Sequence, residues 1–171
     1  MAKERVYIPA TFAMLEELVR EGSVAARNGW GFAVTPALTE FFTSGDEDEI
    51  AYSAFQDASM SSLRLLAIGD EERFPHRRVV ISIDVPKESV ELQPELGDAV
   101  VKLSPAIFRT EDVAAIHVDI EESEEATAKA VEAIDAADLG DEDAELTVGD
   151  ALDNFMAYYA PCELSFLVEL A

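Results

Sequence analysis

One cysteine, Cys162, stands in a chain of 171 residues. A disulfide within the chain is therefore excluded, and so is a zinc site built on cysteine ligands; this usage suits a reducing cytoplasm. Basic residues are also few. Twelve Lys and Arg face 36 Asp and Glu, for a net charge of -24. Nucleic acid and anionic membrane are both held through Lys and Arg clusters, so neither is expected as a direct partner. No apolar run approaches the roughly 20 residues of a membrane-spanning helix. The N-terminal segment reads as no signal peptide, because Glu16 and Glu17 close its short apolar run. A glycine-rich phosphate loop is missing too: Gly29-Trp30-Gly31 is too short for a nucleotide fingerprint and reads as a turn entering a strand.

Apolar residues are abundant, at 49%. With no linker-like or low-complexity stretch, the chain reads as one globular domain over residues 1–171 that can bury a core. Its acidity is uneven. Residues 1–86 carry 8 basic and 14 acidic side chains, and residues 87–171 carry 4 and 22. Such a surface favours solubility and would attract a basic partner.

The clearest strand is Arg78-Val-Val-Ile-Ser-Ile-Asp-Val-Pro86. Side chains alternate across a strand, so Val79, Ile81, Ile83 and Val85 share an apolar face and Val80, Ser82 and Asp84 the other. Pro86 ends it, having no N–H to donate to a neighbour. Further strands are expected at residues 5–9, 30–34, 89–93, 99–103 and 114–120. In the last of these, Ala115, His117 and Asp119 share a face. Thr11 and Thr35-Pro36 are helix starts. Ser44-Gly-Asp-Glu47 is a capping box opening a helix to about Ala67, with a buried stripe of Ala51, Phe55, Ala58, Ser62 and Leu66. Residues 123–137 form a helix that Gly140 closes. Residues 148–160 read as a helix or as an edge strand at 155–159, and the alternation from Cys162 to Leu170 reads as a strand.

Strand–helix order in the first third predicts parallel pairing, and the short connections after residue 77 predict antiparallel pairing. The expected class is α+β: a mixed sheet with helices packed mainly on one face, or alternatively an α/β three-layer sandwich.

Arg5-Val-Tyr-Ile-Pro-Ala-Thr11, Ala33-Val-Thr-Pro-Ala37, Arg78-Val-Val80 and Asp135-Ala-Ala-Asp-Leu-Gly-Asp-Glu-Asp-Ala-Glu145 resemble segments of an uncharacterised protein family from actinobacteria. The resemblance spans most of the chain up to about Tyr159. It implies a cytoplasmic bacterial protein and brings no activity with it.

Three groups of residues invite chemistry. Acids crowd residues 46–49, 121–125 and 135–145. In the third cluster Asp138, Asp141, Asp143 and Glu145 are candidate metal ligands. Counted from Asp135, however, positions 3, 5 and 12 of the calcium loop fall on Ala137, Leu139 and Leu146. Acids at helix starts already satisfy free amides and oppose the helix dipole. The second group is the polar strand face. Asp84 could orient His117 as a base toward Ser82 or a water, with Asp119 and Tyr7 beside them, which would make a hydrolase or a small-ligand or metal-binding protein. Ser82 lies inside a strand rather than at a strained elbow. The third group is His76, Arg77 and Arg78, a basic patch that reads as a solvated turn balancing residues 70–72. Adjacent aromatics, Phe41-Phe42 and Phe155, Tyr158 and Tyr159, cannot all face inward. Exposed aromatics with an acidic rim mark a protein interface. The favoured expectation is a non-catalytic protein that acts through protein contacts or as a homo-oligomer, with no cofactor implied.

Overall fold

Two threonines place the first two helices. β1 (Lys3–Ala10) enters α1 (Phe12–Glu21) through Thr11, whose hydroxyl accepts from the Met14 amide at 3.3 Å. Gly22 ends α1 at φ 77, a left-handed conformation that costs glycine little. β2 (Ser23–Ala25) and a 3-10 turn over Arg27–Gly29 lead to β3 (Trp30–Phe32). Thr35 then caps α2 (Pro36–Phe41) as its proline requires. α3 (Glu47–Ile68) is capped by Asp46, which accepts from the Glu49 amide, rather than by Ser44. The second half supplies β4 (Val79–Pro86), β5 (Val90–Leu92), β6 (Val100–Leu103), β7 (Ile107–Arg109), β8 (Val113–Asp119), α4 (Glu124–Asp138), α5 (Glu142–Leu152), β9 (Met156–Tyr159) and α6 (Leu164–Leu170). The structure, a computed structural model, describes residues 2–42, 44–69 and 74–170. The acidic turn expected at residues 70–72 lies outside them.

The main sheet has seven strands in the order β5-β6-β3-β1-β4-β8-β9, and β2 and β7 form a second, two-stranded sheet. The class is α+β. Parallel pairing is absent among the described strands: β1 pairs β3 and β4 in antiparallel fashion, as do all their neighbours. The expected crossover fails because α1 does not return straight to the sheet. β2 and the turn at 27–29 reverse the chain once more before β3 begins. β4 lies inside the sheet between β1 and β8, with its apolar face buried as expected.

Helices cover both faces of this sheet, not mainly one. Val79, Ile81, Ile83 and Val85 pack with Phe12, Leu15 and Leu18 of α1 and with Leu164 and Leu167 of α6. On the other face α3 lays Ala58 over Val80 and Met156, and Ile50 and Ala54 over Leu38 and Ala99. Behind α3, Leu63 meets Ala130, Ile134, Val148 and Ala151 of α4 and α5. Ser62 of α3 donates to the Ala10 carbonyl at 2.7 Å and accepts from the Val79 amide at 2.9 Å. One hydroxyl thus satisfies backbone groups on two neighbouring strands that would otherwise be buried unpaired.

The tail departs from expectation. Residues 164–170 are helical, preceded by a 3-10 turn at Pro161–Glu163. Leu164 and Leu167 are buried and Val168 packs on the same core. Spacings of three and four residues put all three on one helix face, and this packing outweighs the alternation that suggested a strand.

Gly31 is needed where β3 crosses β1. A Cβ there would lie 2.6 Å from Val6 Cγ1 and 2.9 Å from Ile8 Cδ1. Gly31→Ala should therefore destabilise the protein by about 1–3 kcal/mol through overpacking. A urea midpoint equal to that of the unaltered chain would show that the core can yield there.

Candidate functional site

Tyr7, Ser82 and Ala115 form a row across three adjacent strands: Tyr7 lies opposite Ser82, and Ser82 opposite Ala115. The two small residues leave the sheet surface low at this point. α3 passes above it, and the segment after α5 closes one side. The result is a cleft of about 570 Å³. Its walls are aromatic. Phe55 of α3 meets Tyr7 edge-on at 6.0 Å and His117 at 4.9 Å, and stacks with Tyr52 at 6.3 Å. Phe155 lines the cleft as well. Of the lining rings, Tyr52 and Phe155 are exposed, at 59% and 68%.

His117 stands between Phe55 and Tyr158, 5.7 Å from the latter. Its Nδ1 is buried with no hydrogen-bond partner among the described residues. Burial holds its pKa below the ordinary histidine value, because desolvation disfavours the charged ring. The folded protein therefore resists protonation that the unfolded chain accepts near pH 6.5. Above that pH both states are neutral and His117 leaves stability unchanged. Below it the unfolded state gains the proton first, so stability is lost by up to about 1.4 kcal/mol per pH unit until the folded pKa is reached. Acidification also relieves repulsion among the many carboxylates, so a difference is the informative quantity. His117→Gln should lose less stability than the unaltered chain between pH 7 and 5 by chemical denaturation. Parallel pH profiles would contradict the assignment.

Asp84 does not orient His117. The residue opposite His117 on β4 is Val80, which leaves Asp84 four residues away, roughly 13 Å along the strand. Asp84 lies opposite Arg5 and accepts from its Nε at 2.6 Å and its Nη2 at 3.0 Å. That guanidinium holds the Asp84 carboxyl below its ordinary pKa and is itself raised. Both side chains are more than a third exposed, so the pair contributes only about 0–1 kcal/mol. Ser82 is diagonal to His117, with their Cα atoms roughly 7–8 Å apart, and no direct hydrogen bond joins them. The Ser82–His117–Asp84 relay expected from strand parity is thus not assembled, although Ser82 and His117 do share the cleft.

Asp119 has a different role. Its carboxylate accepts from Arg78 Nη2 at 2.6 Å, from Arg78 Nε at 3.0 Å, from the Arg78 amide at 2.8 Å and from the Thr127 hydroxyl at 2.9 Å. Arg78 also donates to Ser59 Oγ and to the Asn154 carbonyl. Both side chains are essentially inaccessible. Arg78 is therefore no part of a solvated basic turn. It ties β4, β8, α3, α4 and the segment after α5 into the back wall of the cleft. Its neighbour Arg77 pairs with Glu124 at 3.1 Å, and His76 is exposed.

The third acidic cluster holds helix ends rather than a cation. Asp138 pairs with Arg64 at 2.9 Å. Asp141 caps α5 by accepting from the Ala144 amide at 3.0 Å, and Asp143 and Glu145 fall in the first turn of that helix. Among the described residues no three His, Cys, Asp or Glu converge as a metal requires, so the ligand set Asp138, Asp141, Asp143 and Glu145 does not form.

Several cleft residues escape a reading of the sequence. Ala51 and Phe55 were expected in the buried stripe of α3, but Ile50, Ala54, Ala58 and Ser62 occupy it. Asp48, Ala51, Tyr52, Phe55 and Gln56 recur at helical spacing and line the cleft instead. A stripe that mixes an acid, a phenol, an amide and a large ring is the signal of a partly wet face. Of the aromatic pairs, Phe41 is exposed and Phe42 partly buried.

An open antiparallel sheet between helical layers, with an aromatic-walled cleft on one face, defines an α+β protein with a preformed pocket. No described helix is long and apolar enough to cross a membrane. The chain belongs to the family of unknown function DUF6912, whose model matches residues 4–168. No curated protein and no solved structure matches it.

Proposed function

We propose that this is a small-molecule-binding protein and that its ligand occupies the cleft between α3 and the sheet. The observation that carries the reading is a cavity of about 570 Å³ walled by rings, into whose lining His117 brings a buried nitrogen without a partner among the described residues. Ligand sites are typically concave and mostly apolar, with a few placed polar groups. Ser82, His117 and Asn154 are those groups here. Ser82 and His117 then act as contacts to the ligand, not as a nucleophile and its base. The single cysteine and the acidic surface fit a cytoplasmic setting.

A fragment library screened by thermal shift tests this. Planar fragments should raise the melting temperature progressively, with the logarithm of their concentration once it exceeds the Kd. A screen in which no fragment stabilises the protein would defeat the reading.

Protein contact is a second reading, favoured by one observation: Phe155 and Tyr158 are exposed beside and on β9, the edge strand of the main sheet. Light scattering across a concentration series would then show a dimer. A monomer at every concentration would leave self-association without support.

A further inference from the structure

We infer that the cleft selects organic cations: a protonated or quaternary amine carried on a flat apolar body. The inference rests on the small-molecule reading above and adds the sign of the ligand's charge.

Charge balance is the first argument. Two arginines and two aspartates line the cleft. Both arginines already have carboxylate partners just beyond it, Arg5 with Asp84 and Arg78 with Asp119. Asp48 and Asp153 have no ion-pair partner among the described residues. The uncompensated charge at the cleft is therefore negative.

The second argument is where Asp153 stands. It is the C-cap of α5, and its amide donates to the Ala151 and Gly149 carbonyls. The free carbonyls of a helix C-terminus carry partial negative charge and favour a cation. No basic residue occupies the last turn of α5, and an aspartate follows it instead. Helix stability accounts for Asp48, which lies in the first turn of α3 where acids are favoured. It does not account for Asp153. A positive ligand in the cleft would complement both the carboxylate and the helix end.

The walls agree. The faces of aromatic rings attract cations, more strongly when water is excluded. Tyr7, Tyr52, Phe55 and Phe155 all line the one cavity. Phosphate-bearing or carboxylate ligands would instead meet Asp48 and Asp153, and the guanidinium exposed at the cleft, that of Arg5, is already paired with Asp84.

Three probes on the same ring separate the possibilities: benzyltrimethylammonium, benzyl alcohol and benzoate, titrated by calorimetry into the full chain. The cation should bind most tightly and benzoate least. Asp153→Asn should weaken the cation about fivefold or more and leave benzyl alcohol unchanged; the site is exposed, so the fold is retained. Added salt should weaken the cation alone. Benzyl alcohol or benzoate binding as tightly as the cation would overturn the inference while leaving the small-molecule reading intact. An Asp153→Asn variant that binds the cation like the unaltered chain would overturn it as well. Binding of none of the three, in a protein that no library fragment stabilises, would remove both.

Discussion

Arg78→Met should cost about 3–5 kcal/mol of stability, because it leaves the Asp119 carboxylate buried without its partner. The native state of a domain this size is stable by only about 5–15 kcal/mol, so the loss should shift the urea midpoint strongly. Asp119→Asn should be comparably costly: its amide oxygen can still accept from the Arg78 amide and the Thr127 hydroxyl, but the guanidinium, which keeps its charge, is left buried and uncompensated. The double variant Arg78→Met/Asp119→Leu should recover much of the deficit, because an apolar pair is often no worse than a buried ion pair. That pattern separates an uncompensated charge from simple loss of packing. A single variant with an unchanged midpoint would contradict the burial of this pair.

Ala51→Trp carries the second large effect. Ala51 lies half-buried on α3 at the cleft. An indole there would project from the cleft lining into the space a ligand would take. Affinity for any cleft ligand should fall about 100-fold or more, equivalent to about 2.7 kcal/mol, while the circular dichroism spectrum and the unfolding transition are retained. Undiminished binding by this variant would place the ligand elsewhere.

The architecture was legible where one physical cause acts alone. The alternation of Val79, Ile81, Ile83 and Val85 has no competing explanation, and it marks an interior strand of the sheet. Thr11 and Thr35-Pro36 place helix starts because a capping hydroxyl answers a local need. Direction and layering were not legible. Whether β1 and β3 run parallel depends on the reversal at β2, a three-residue strand with no periodicity of its own. The tail shows how two periods can share one sequence: residues 162–170 alternate, yet Leu164, Leu167 and Val168 also fit a helix, and contact with α1 decides between them.

The candidate site was half legible for a related reason. Strand parity placed Ser82 and His117 on one face, and they do share a cleft. Parity carries no information on distance along the strand. Asp84 therefore passed as a partner for His117, although Arg5 faces it across β1 and β4. Arg78 read as solvated because its sequence neighbours are charged, whereas its carboxylate partner lies 41 positions away. Phe55 read as core because a large ring at helical spacing is usually core. Its position beside the cleft follows from the small residues Ser82 and Ala115, which leave space beneath it.

Amide-shift mapping by nuclear magnetic resonance, with the most stabilising fragment of the screen, tests the central claim most directly. The account predicts perturbations concentrated at Tyr7, Phe55, Ser82, His117 and Asn154, absent in Ala51→Trp. Perturbations gathered at another surface, with those five amides unmoved, would contradict it.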